Sequence, residues 1–200
     1  MRLWLVPVLA FGVSGCLQID GGTTATPVLR QAELAGGTVI VRPPSGYCVD
    51  AGSVVNRAQG GFALIGSCAS LTGDASGVFV EPAIITISAS PAGEGAVSTD
   101  SRDFQQALGR GRILRAINRE GLALLQVEGG STVPPNADQR HWRALMTVGD
   151  KVLGLALYGA PDSVMVSDRG MRLMMDLADA IRRDSPAAEK LASGSTPAAD

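Results

Sequence analysis

Aromatic residues make up 4% of this 200-residue chain, histidine occurs once and cysteine three times. Each scarcity excludes something. With one histidine, His141, a zinc site is a poor reading, because zinc usually takes three or four His, Cys or carboxylate ligands. His141 is also the sole base open to a Ser-His-Asp centre, and no Gly-x-Ser-x-Gly elbow accompanies it. No Gly-Lys-Ser/Thr follows a glycine run, so there is no P-loop. Gly109-Arg110-Gly111 lacks the third glycine of a dinucleotide turn and reads as a helix break. Few aromatics leave little surface for sugar stacking, and the acids that could form a glycosidase pair, Asp50, Asp103 and Glu128 among them, are scattered over turns and caps. Charge is nearly balanced, 17 basic against 19 acidic residues, which is no nucleic-acid footprint. No catalytic residues, metal site or cofactor are expected.

What is present begins at the N-terminus. Arg2 supplies a positive start, Leu3 to Val13 an apolar stretch, and Ser14 and Gly15 small residues before Cys16. Val13-Ser14-Gly15-Cys16 resembles the lipobox of bacterial lipoproteins, in which the signal peptide is cut before a cysteine that carries the lipids. That resemblance implies a signal peptide over 1–15, acyl chains such as palmitate on Cys16, and a periplasmic domain anchored to a membrane. Several chains anchor stably where one alone binds only marginally. In the sorting rule of enteric bacteria, Leu17 after the lipidated cysteine favours the outer membrane. The alternatives are a plain secretory signal and an uncleaved span; the apolar run ends near Leu17 and contains Pro7, short of the roughly 20 residues a bilayer needs. Cys48 and Cys68 remain, a disulfide pair in an oxidising compartment or two buried free thiols.

Residues 16–37, polar and carrying Gly21-Gly22-Thr23-Thr24 and Pro27, read as a lipid-anchored tether, and 184–200 as a disordered tail. Between them, 38–183 is long enough for one globular domain. Strands are expected at Thr38 to Arg42, Phe62 to Ala69, Ala83 to Ala89 and Leu122 to Glu128. In the second of these, Phe62, Leu64, Gly66 and Cys68 share a face, with Ile65 opposite. Asp100 to Asn118 reads as helical, with Phe104, Leu108, Leu114 and Ile117 inward and a break at Gly109 and Gly111. Arg112, Arg115 and Arg119 then follow helical spacing, and such a stripe could meet lipid phosphates or be a solvated outer face.

The strongest local pattern is a hairpin. Arg140 to Val148 and Lys151 to Tyr158 flank Gly149-Asp150, a turn with glycine first as type II′ requires. The implied register pairs Val148 with Lys151, Met146 with Leu153, Ala144 with Leu155 and Trp142 with Leu157, which forms one apolar stripe. His141 falls on the polar face across from Tyr158 and beside Arg143, an exposed histidine. Ser163 or Ser167 caps a helix to about Arg183, with Met171, Met174, Leu177, Ala178 and Ile181 on the hairpin's apolar face. That spacing makes Met171, Met174 and Met175 core residues rather than soft copper ligands. The class is α+β, a mainly antiparallel sheet with helices packed on one face, including a C-terminal helix after the hairpin.

Pro44-Ser45-Gly46-Tyr47-Cys48-Val49-Asp50, followed by Phe62-Ala63-Leu64-Ile65-Gly66-Ser67-Cys68, resembles a pattern in uncharacterised exported proteins of alphaproteobacteria. The likeness runs over 38–183, includes the Trp142 hairpin and closing helix, and implies no activity. The element order is also similar to the PsbP-like α/β/α sandwich, whose members act mostly as assembly or accessory subunits. The expectation is a lipid-anchored, non-enzymatic accessory module of the cell envelope with a membrane contact at Cys16 and an envelope protein partner. A binding protein for a small or lipid-like ligand held between sheet and helix is the second reading. A cell-wall hydrolase using His141, Asp50, Asp103 or Glu128 is the third.

Overall fold

The computed structural model describes residues 27–93, 104, 111–119 and 121–186. The signal peptide, Cys16, Leu17, Asp103 and the Gly109-Arg110 pair lie outside the described residues. Strands β1 (Val28–Leu29), β4 (Tyr47–Asp50), β6 (Gly60–Ser67), β7 (Ala83–Pro91), β11 (Lys151–Gly159), β10 (Arg140–Val148), β9 (Leu122–Glu128) and β8 (Arg112–Arg119) form one sheet in that spatial order, with β5 (Val55–Arg57) added to β6. Every pairing in it is antiparallel. Strands β2 (Ala32–Leu34) and β3 (Val39–Val41) make a separate two-stranded sheet. A short helix, Cys68–Thr72, follows β6, and a closing helix spans Asp168–Asp184. The protein is therefore α+β, with a predominantly antiparallel sheet and a C-terminal helix.

The hairpin of β10 and β11 has the register its turn dictates: Trp142 faces Leu157, Ala144 faces Leu155 and Met146 faces Leu153. Gly149 takes φ 57°, the left-handed backbone that the first position of the turn needs. Alternation then sends Trp142, Ala144, Met146, Leu153, Leu155 and Leu157 to one side, where Met174, Leu177, Ala178 and Ile181 of the closing helix cover them. All ten are essentially inaccessible to water. Gly170 makes the approach possible, since a Cβ there would lie 1.8 Å from the Met165 carbonyl oxygen. Ser163 caps the 3-10 turn Val164–Val166 through Met165 N, and the closing helix starts one residue later, after Ser167.

Several expectations are corrected. Residues 28–37 are no tether: they form β1, β2 and a 3-10 turn, and Ala32, Leu34 and Ala35 are buried in the core. The domain also extends past 183. Ser185 is 1% exposed, and its hydroxyl accepts from Ile40 N at 3.0 Å. Arg112–Arg119 is an edge strand, not a helix; pairing with β9 satisfies its backbone, and a bulge between Ile113 and Arg115 breaks the alternation. On β6 the core side is Ala63 and Ile65, both fully buried, while Phe62 is on the outer side. The closing helix covers one face of the sheet; Phe104, helical, joins Ala123, Leu125 and Val127 on the opposite one.

Candidate functional site

That opposite face carries the chemistry-bearing side chains. Antiparallel register lines them up in rows across the strands. Ile84 of β7 is opposite Tyr158 of β11, and Thr86 is opposite Ala156. Leu64 of β6 joins the Thr86 row, and Arg143 of β10 joins it from the other side through Ala156. Ser88, opposite both Phe62 and Gly154, begins the next row.

At one end of this face lies an open trough of about 520 Å³. Leu64 and Ile84 form its floor, Leu71 of the short helix one wall, and Pro134 and Pro135 the other, with Tyr158 at its side. Its size falls within the range of small-molecule sites, and its lining is almost wholly apolar. Ile84 is 44% exposed within it, an unusual cost for an isoleucine in the middle of a sheet.

Polar contacts fix the proline wall. Tyr158 Oη donates to the Thr132 carbonyl at 3.1 Å, Gly129 N to Gln139 O at 2.9 Å, and Asp138 N to Gly159 O at 3.0 Å. The Asp138 carboxylate accepts from Arg140 N at 2.8 Å and from Asp162 N at 3.0 Å, and it pairs with the Arg140 guanidinium. The Arg140 hydrogen bond is the main reason its pKa falls to about 2. The 129–139 segment, rich in turns, is thus tied down at both ends. The other wall is held by the Cys48 and Cys68 sulfurs, 2.01 Å apart at disulfide distance, where the short helix leaves β6.

His141 is buried, 2% exposed, which corrects the expected exposed histidine. Its ring stacks on Tyr158 with centroids 5.2 Å apart, and Nδ1 lies 3.1 Å from Gln139 O. Burial, with the Arg143 cation adding, holds the imidazole below its usual pKa. The other hydrolase candidates have separate tasks: Asp50 Oδ1 accepts from Gly52 N at 2.9 Å as a cap, and Glu128 Oε2 accepts from Arg112 Nε at 2.9 Å. Neither faces His141, and they are not brought together.

The three arginines do share a side of β8, by a route the helical reading did not contain. The bulge returns Arg112 to the face of Arg115 and Arg119, opposite Glu128, Gln126 and Leu122 respectively. Each has an acid beside it: Glu128 for Arg112, Asp168 for Arg115 and Asp179 for Arg119. Arg115 also lies over the Trp142 ring at 5.8 Å. Of the methionines, Met174 is in the core, and Met171 and Met175 pack against it. Among the described residues, no three His, Cys, Asp or Glu side chains converge on a metal-sized site, and no helix is long and apolar enough to cross a membrane.

Fold and site together define a single α+β domain with an apolar trough on the sheet face away from its closing helix. No protein-family model matches the sequence, and no curated protein matches it. Among solved structures it is similar to the Saccharomyces cerevisiae Ran-binding protein Mog1p, at 9% identity and a TM-score of 0.46, over 82% of this chain and 96% of that one.

Proposed function

We propose that the protein is a lipid-anchored periplasmic module that acts by binding rather than catalysis, and that the trough is its binding site. The observation that carries the reading is the trough itself: Leu64, Leu71 and Ile84 line a concave surface with walls pinned by hydrogen bonds and by the Cys48 and Cys68 sulfurs. The layer between sheet and closing helix, by contrast, is filled by fully buried side chains at its centre. The hollow of about 250 Å³ at its edge, beside Tyr47, Arg169, Arg172 and Asp176, is smaller and more polar than the trough. The envelope address rests on the lipobox resemblance at Cys16, and the hydrogen-bonding tasks of Asp50 and Glu128 support binding over hydrolysis.

Two measurements test this. Cys16→Ser should move the protein from the membrane fraction to the soluble periplasm, and mass spectrometry of the wild-type N-terminus should find acyl chains on Cys16. Retention of Cys16→Ser on the membrane would overturn the anchor. Nile red, an uncharged apolar probe, should bind the soluble form at one saturable site and lose that site in Ile84→Asp, whose folding circular dichroism checks. A titration without saturation, or one unaffected by Ile84→Asp, would overturn the trough as the binding site.

A further inference from the structure

Resting on that reading, we infer that the trough takes a single-chain amphiphile with a carboxylate head, and that Arg143 receives the head. The row geometry places an arginine on the same sheet face as the trough, three strands across from Leu64. Leu64 lines the trough and also shares a row with Thr86, Ala156 and Arg143. A second hollow, about 100 Å³, lies on that row and the next, lined by Thr86, Ser88, Phe104, Arg143 and Gly154. Successive rows on one face are about 7 Å apart and neighbouring strands about 4.8 Å. The hollow therefore lies about one row and two to three strands from Ile84 and Leu64, within the length of an unbranched acyl chain laid across the sheet.

Arg143 is prepared for an anion there. Its Nη2 donates to Thr132 Oγ1, and its guanidinium sits 5.5 Å over the Tyr158 ring, which fixes its orientation. Its Nε is buried and has no hydrogen-bond partner. A buried donor on a cation is costly to leave unmade, and a carboxylate oxygen is the acceptor that satisfies it best. The hydroxyl of Thr86 is a second donor in the same row. Ser88, whose Oγ donates to Gly154 O at 3.3 Å, adds another polar group. Together these pass from hydrocarbon to anion in the order that a fatty acid presents.

The floor argues against a peptide. It is built from β6, β7 and β11, interior strands whose backbone groups are paired on both sides. A peptide could not extend the sheet there, and its own amides would enter an apolar trough unpaired. An acyl chain carries no such groups.

The experiment uses the exported Cys16→Ser protein, stripped of lipid, and displaces Nile red with palmitate, hexadecanol or a single-chain anionic phospholipid of equal chain length. Palmitate should bind about tenfold to a hundredfold more tightly than hexadecanol, the difference expected of one charge-assisted hydrogen bond. Arg143→Gln should abolish the preference, read as the ratio of palmitate to hexadecanol affinity within the same variant, so that any change in Nile red binding common to both lipids cancels. Thr86→Val, which does not touch the Thr132 contact, should reduce the preference by a smaller factor. Equal affinities for palmitate and hexadecanol would overturn the head-group assignment and leave the trough standing. A phospholipid that binds as tightly as palmitate would overturn the carboxylate. Loss of saturable Nile red binding in the unsubstituted trough would refute the binding-site reading beneath both.

Discussion

Trp142 donates its indole Nε1 to the carbonyl oxygen of Ser167 at 3.1 Å, joining the open end of the hairpin to the residue from which the closing helix starts. The ring is fully buried, so the bond holds the polar end of a large apolar side chain in place. Removing the ring removes both functions. Trp142→Ala should cost about 3–5 kcal/mol in chemical denaturation. Trp142→Phe, which keeps most of the area and loses only the indole donor, should cost less, since the Ser167 carbonyl still accepts from Met171 N at 3.2 Å. Near-neutral behaviour of Trp142→Ala would contradict this packing.

Gly170 lies where the closing helix crosses the preceding 3-10 turn. A methyl group there would meet the Met165 carbonyl oxygen at 1.8 Å and Trp142 Cδ1 at 3.1 Å. Alanine ordinarily stabilises a helix relative to glycine. Here the sign should reverse, and Gly170→Ala should destabilise by about 1–3 kcal/mol or more as helix and turn are forced apart. A higher melting temperature for Gly170→Ala would show that the backbone yields without cost.

His141 should make stability fall at mildly acidic pH. Its folded pKa is lowered, chiefly by burial, while the unfolded value is about 6.5. The folded state therefore binds fewer protons than the unfolded one, and the neutral imidazole's contribution is fully present above about pH 6.5. It is lost progressively as pH falls from there through the lower folded value. Denaturation midpoints at pH 7.5 and 5.5 should differ in the wild type and differ less in His141→Gln. Equal pH slopes in the two proteins would assign the effect elsewhere.

Cys48 and Cys68 close a loop with a sequence separation of 20. By the chain-entropy account, such a crosslink stabilises by roughly 3 kcal/mol. Cys48→Ser should lower the melting temperature and leave a titratable thiol at Cys68, and Cys68→Ser should do so by a similar amount. Thiol titration of the folded wild-type domain should find neither cysteine reactive; a reactive pair would contradict the crosslink.

Legibility followed locality. The hairpin could be read because Gly149-Asp150 and the alternation on both arms specify the same register over neighbouring residues. The closing helix was readable for the same reason, its apolar spacing being local. Arg112–Arg119 was not. An edge strand with exposed arginines beside the closing helix and a bulge near its start has no clean period of two, and Phe104, Leu108, Leu114 and Ile117 imitate a helical period across a glycine break. His141 and Arg143 read as surface residues because their strand alternates. The burial of His141 and the partial cover of Arg143 come from Tyr158 and the 130–139 segment, which fold over them from elsewhere in the chain.

The chain's own pattern determined its class, its hairpin register, its closing helix, the three cysteines and the lipobox-like start, since each is specified by residues close together in sequence. Tertiary structure alone decided that 28–37 enter the core, which face of β6 is buried, and that Leu64, Ile84, Tyr158 and Arg143 share one side of the sheet. The physical reason is that a trough is a property of rows. Its members come from three strands, the short helix and the connecting segments, and only the antiparallel ladder, with its interstrand pairing set by burial of the opposite face, brings them into line.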